Sequence, residues 1–532
     1  MRVVSLVRRY LPSVTVASGV ASAVVLVVIL LAVSGLLVPP ADVEAAPPVG
    51  VSVSQGSTSL VCPGPAELVS GDGVTFDSEF GQEAASSSTL VEAFALGRPG
   101  GPAPAGGYRP GLDGDAERVG LVPERSLGSG LSVPDVSGPG VLTAQAADSR
   151  AALLAGATLA RADSGDLRAL ASERCLEPAG SAWLITGNTE IGSSARLVLL
   201  NPGRTSATVD LEAWGAVGPV DLGAAVSVLV PPGSERALLL EAFAPDEPQL
   251  AVRLTVSGGG VAAFVQSSSL DGFVPAGVDL SGPSEAPATT VVIPGVVIED
   301  SDIDAAHPSV LRVVNPGSSP ATVRLRMLHA DGERLIPGAA TRIVEAGTVS
   351  DISLAGVPAG DYAAELVSDQ PVTAAALLTR VGSASEDDPD LEVLDRAWLP
   401  AGATFRTALV PIPSLGQEVD SARVVVANAG AHQVGLQYRV VESGGWVRSA
   451  SVVAVPARSV AVLTGEDLQG AIGVELVALR TAGADDGVVD DPGLVASVVL
   501  EADTADGPLV AGVGAQPDAE SAGTVAVRLP NR

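Results

Sequence analysis

The side chains that could carry chemistry are few or poorly spaced for it. His307, His329 and His432 are the only imidazoles. No two have zinc-ligand spacing such as His-Glu-x-x-His, and His329 and His432 fall on or beside expected strands of different repeats. A Ser-His-Asp hydrolase of the lipase type carries a Gly-x-Ser-x-Gly elbow, and none occurs. Carboxylates are so abundant that chance pairs say little about glycosidase chemistry. The sharper acidic groups are four loops, Asp113 to Glu117, Glu299 to Asp304, Glu386 to Glu392 and Ala484 to Asp491. Their oxygens suit Ca²⁺, but none follows an EF-hand pattern, and solvated loops are the expectation. No catalytic, cofactor-binding or metal-ligating residue is therefore assigned, and no cofactor is expected.

Cys62 and Cys175 are the only thiols. In an oxidising compartment an even pair with no competitor reads as one disulfide, Cys62–Cys175. Among the aromatics, Trp183 and Trp398 each lie in an Ala-Trp-Leu and read as core or junction residues. Trp446, in a Gly-Gly-Trp hairpin tip, is expected to be exposed. A glycan-binding surface would present more than one such ring.

The elements that must position these residues follow from composition and period. The chain has 532 residues, a formal charge of −31, 47% hydrophobic and 3% aromatic residues, and every basic residue is arginine. That length implies several domains, the apolar fraction argues against disorder, and the acidic balance argues against nucleic acid as a partner. Arg2, Arg8 and Arg9 precede a charge-free run containing the apolar segment Val14 to Val38, long enough to span a bilayer as a helix. Basic flanks stay cytoplasmic, so residues beyond about 46 are expected outside the membrane. A small-residue pattern before Ala46 leaves a cleaved, secreted form as the alternative.

From Arg196 onward one phrase recurs: an apolar run, then Asn201-Pro202-Gly203, Asn315-Pro316-Gly317 and Asn428-Ala429-Gly430, then alternating apolar residues. The asparagines are 114 and 113 residues apart, and a second turn beginning at Val230, Val344 or Val455 follows each by 29, 29 and 27 residues. Such regularity marks an internal repeat. Its period of two, as in Val209, Leu211 and Ala213 against Thr208, Asp210 and Glu212, is that of strands. The Asn-Pro-Gly reversals suit type II turns with glycine at positive φ. Size and strand count suggest an immunoglobulin-like β-sandwich.

The expected division is 1–45, cytoplasmic arginines and the transmembrane or signal segment; 46–180, a small, mostly β domain pinned by the disulfide and following no repeat; and three sandwiches, each with its own core, at 181–285, 286–396 and 397–532. One short helix, opened by Ser164, is expected before Cys175.

The arginine cluster with a single membrane segment, the Val-Cys-Pro-Gly-Pro at Cys62 and the stretch from Cys175 to Pro202 resemble a group of large exported actinobacterial proteins catalogued only as a domain of unknown function. The resemblance implies a place in the cell envelope and carries no activity or site residue. The expectation is an all-β, non-enzymatic scaffold or protein-interaction module, membrane-held and partnered by an envelope protein or glycan. A glycan-binding protein is the alternative, and a hydrolase of envelope polymers a further one.

Overall fold

The computed structural model describes residues 49–52, 57–67, 87–97, 102–123, 127–146, 151–299, 301–334, 336, 340–385, 388–479, 493–518 and 524–527. The apolar segment Val14 to Val38 and the acidic stretch Ala484 to Asp491 lie outside these residues. Two bodies are present. One holds an antiparallel ribbon, Val49–Ser52 with Thr524–Val527. The other, Ser54–Glu520, is a single compact unit.

Among its described residues the regular elements are strands, with turns and short 3-10 segments between them. The expected helix after Ser164 is instead a bend, with Gly165 at φ 80°, followed by the strand Ala169–Arg174. All but its last residue are buried, so the strand lacks the alternation that identifies a half-exposed one.

The three repeats have one architecture. In each, one sheet is built on the strand after the asparagine turn: Ala207–Gly215, Ala321–His329 and Val434–Glu442. The facing sheet is built on the strand before it: Ser193–Asn201, Val310–Asn315 and Ser421–Asn428. In Ala207–Gly215 the residues Ala207, Val209 and Leu211 are buried while Asp210 and Glu212 are exposed, as the period required. Apolar cores fill the space between facing sheets, around Leu197 and Leu254, Leu311 and Leu366, and Val424 and Leu476. The boundary expected at 396/397 falls inside the strand Glu392–Pro400, which pairs with Gly360–Ala384 and so closes the second unit.

The asparagine turns are not type II. Gly203, Gly317 and Gly430 are absent from the positive-φ glycines. The organising group is the asparagine side chain, which is fully buried in all three. Its Oδ1 accepts the glycine N–H at 2.9, 3.1 and 2.9 Å. Its Nδ2 donates to the carbonyl four residues on, Thr205, Ser319 or His432, at 2.9, 2.8 and 2.8 Å. The same Nδ2 donates to Val230, Val344 or Val455, at 3.0 Å each time. The spacing of 29, 29 and 27 residues between the two turns is thus the span of one hydrogen bond. Glycine fits because a Cβ at 203 or 317 would lie 3.0 or 3.2 Å from the asparagine oxygen. Asn315→Ala should cost about 1–3 kcal/mol through unmet buried carbonyl and amide groups. An unchanged denaturant midpoint would contradict this role.

The segment before the repeats is also built of two sheets. One has the order Ala169–Arg174, Leu153–Ala162, Ser87–Leu96, Gly128–Pro134 and Val122–Pro123; the other has Thr58–Cys62, Gly140–Ala144, Gly106–Pro110 and Val119–Gly120. The Cys62–Cys175 disulfide joins them. This N-terminal unit, with no sequence likeness to the repeats, takes the fourth place in a ring with them.

Candidate functional site at the centre of the ring

Each unit has one sheet whose edge strand reaches a common centre. These strands are Ala169–Arg174, Val274–Ser281, Glu392–Pro400 and Gly507–Gly514. They pack in cyclic order, first to second, second to third, third to fourth and fourth to first. Ala276 pairs in parallel with Leu394, merging sheets of the first two repeats. Glycine permits the approach: a Cβ on Gly277, at φ 107°, would lie 2.8 Å from the Arg396 nitrogen, and one on Gly512 would lie 2.6 Å from Leu399.

Around this centre the other sheet of each unit packs on the central sheet of the next. Val61 and Val141 of the N-terminal unit meet Val198 and Phe264. Trp183 and Trp214, with ring centroids 5.0 Å apart, meet Val314, Val349 and Trp398. Val292 and Leu328 meet Val425 and Val460. Leu409 and Ile472 close the cycle on Phe94 and Leu153. Trp183 and Trp398 are therefore junction residues, whereas Trp446 is 51% exposed.

Arg312 pins the tryptophan junction. It pairs with Asp351 through two bonds of 2.9 Å, lies 4.7 Å over the Trp398 ring, and donates to the carbonyls of Pro248 and Gly187 in the preceding unit.

Buried carboxylates join the central strands in the same cyclic sense. Glu173 accepts the Gly282 N–H at 2.7 Å. Asp279 accepts the Trp398 N–H at 2.8 Å. Asp395 accepts the Val510 N–H at 2.7 Å and that of Leu170 at 3.4 Å. The closing junction uses cations instead: Arg168 donates to the Gly507 carbonyl at 2.9 Å, and Arg174 to Gln516 at 2.6 Å. Farther out, Glu92 accepts the Ser414 N–H at 2.8 Å. Burial pushes Glu92, Glu173 and Asp395 up to about 7 and Asp279 well above its usual range; accepted hydrogen bonds only partly offset this. Asp279 Oδ1 and Asp395 Oδ1 have no partner among the described residues, which also favours the neutral acids.

None of these carboxylates was singled out from the sequence. In a chain with 61 acidic residues, only pairing reveals which are buried.

A cleft of about 780 Å³ opens between the second and third repeats, lined by Glu299, Asp361, Asp420, Arg423, Glu501 and Asp503. Fully buried Arg380 holds Glu501 at 2.9 Å and Glu299 at 3.4 Å, so the first carboxylate of the Glu299 to Asp304 loop is ion-paired. The histidines do not converge. His329 stands 5.2 Å from the Tyr362 ring and accepts the Asp331 N–H, while the His432 carbonyl belongs to an asparagine turn.

Fold and site define a disulfide-containing all-β protein of interlocked two-sheet units. Residues 131–412, just over half of the chain, match the Family of unknown function (DUF5719), and the chain belongs to that family. The matched stretch contains Glu173, Asp279 and Asp395. No curated protein matches the chain.

Proposed function

We propose that the protein is a non-enzymatic scaffold or protein-interaction module of the cell envelope, working outside the cytoplasm. In this reading Val14 to Val38 holds it in the membrane, unless cleavage near Ala46 releases it. The observation that carries the reading is the interlocked ring. Packed junctions and buried carboxylates give the outer loops of four units fixed relative positions, as a presenting surface requires. The disulfide supports an oxidising compartment. The repeats are taken as immunoglobulin-like modules, consistent with their paired sheets of similar size.

The test is binding of the fluorescently labelled full chain to isolated cell envelopes pretreated with protease or with glycan hydrolases. Binding should be lost after protease and kept after glycan removal. The opposite pattern would assign the surface to glycan, which Trp446 could serve as a stacking face. Release of soluble polymer fragments would overturn the non-enzymatic reading.

A further inference from the structure

Where the central strands end, a second cavity of about 580 Å³ opens between the N-terminal unit, the first repeat, the segment Pro283–Pro287 and Gln516. Arg174 lines it. One of its terminal nitrogens donates to Gln516 Oε1, while its buried Nε makes no hydrogen bond among the described residues. The nearest carboxylate behind it, Glu173, stands 3.8 Å away and is engaged by the backbone N–H groups of Gly282 and Arg174. Arg253, the other cation of the cavity, lies over the Trp183 ring and pairs with Glu212. Arg174 is thus a largely desolvated cation on the wall of a ligand-sized space. Glu177 and Glu285 stand exposed on the lining, Glu285 within electrostatic reach of Arg174, and the remaining wall is mainly alanine, valine, leucine and proline. A simple anion would gain from Arg174 but would be repelled by the two glutamates. A molecule with a carboxylate at one end, an ammonium at the other and a small apolar body satisfies all three charges.

We propose that this cavity binds a short peptide of small residues, its free carboxylate on Arg174 and its ammonium beside Glu177 and Glu285. The proposal is independent of whether the outer surface serves protein or glycan.

Calorimetric titration of the detergent-solubilised full chain with trialanine tests it, using the C-terminal amide and the N-acetyl form as comparators. Trialanine should bind saturably, with the amide weaker by about tenfold or more, the loss of one charge-assisted contact to a desolvated cation, and the N-acetyl form weaker by a smaller factor of about two to five, because the glutamates are exposed. Arg174→Lys should weaken trialanine, and Glu285→Gln should weaken trialanine but not its N-acetyl form. The glutamate variant lies at an exposed position, so its result stands even if substitution of Arg174 unfolds the protein. Equal binding of acid and amide, or no saturable heat with trialanine, would overturn the proposal.

Discussion

Asp395→Ala should destabilise the protein by about 2–6 kcal/mol, since two buried N–H groups lose their acceptor at about 1–3 kcal/mol each. The carboxyl belongs to the second repeat, yet it accepts N–H groups from the third repeat at Val510 and from the N-terminal unit at Leu170. Alanine leaves both amides without an acceptor, so three units should loosen together. Asparagine keeps an acceptor oxygen and removes the ionisable group. Asp395→Asn should therefore cost less than alanine at pH 5 and approach the parent protein at pH 8.

The pH dependence follows from the same burial. Glu92, Glu173 and Asp395 titrate near 7 in the folded protein, against 4.5 for Glu and 3.8 for Asp. Between those values the folded state holds more protons than the unfolded chain. Stability from the neutral acids is full below the unfolded values and is lost as pH rises through about 7. For Glu92 alone the shift corresponds to about 3 kcal/mol. Thermal midpoints should fall from pH 5 to pH 8, with a shallower slope in Asp395→Asn. A flat or rising profile, or equal slopes, would contradict the role given to these groups.

Loss of the disulfide has the other large effect. Cys62 ends a strand of one sheet, and Cys175 follows the central strand Ala169–Arg174 of the facing sheet. The bond closes a loop of 113 residues, for which chain entropy gives about 4–5 kcal/mol as an upper figure. Removing it frees Cys175 from the sheet it anchors, two residues from the Glu173 carboxyl that holds the first repeat. The double variant Cys62→Ser, Cys175→Ser should lower the denaturant midpoint, and reductant should lower that of the parent but not of the variant. Equal midpoints for all would show that neighbouring contacts already hold these strands.

The repeats were legible because each must bury one face of its strands and reverse the chain at the same asparagine. Period two and a spacing of 114 and 113 residues record those constraints. The role of glycine beside the asparagine was not legible, since Asn-Pro-Gly suits a type II turn as well as this side-chain clamp. The ring was hidden for a different reason. Its central strands are buried on both faces and so lack a polar–apolar alternation; Ala169–Arg174 even reads as a helix. The N-terminal unit shares the arrangement of the repeats without their sequence. Arg312 sits three residues before its asparagine, where the other repeats carry Val198 and Val425, each facing the preceding unit. That departure is a second sign of the junction, beside Trp183 and Trp398, which read as core or junction residues.

Hydrogen exchange on the full chain under native conditions, compared with Asp395→Ala, addresses the interlocked ring most directly. Ala169–Arg174, Val274–Ser281, Glu392–Pro400 and Gly507–Gly514 should share the highest opening free energy and lose protection together when Asp395 is removed. Exchange at a separate level for each strand, with the loss confined to the second repeat, would contradict the interlock and leave the units as independent modules.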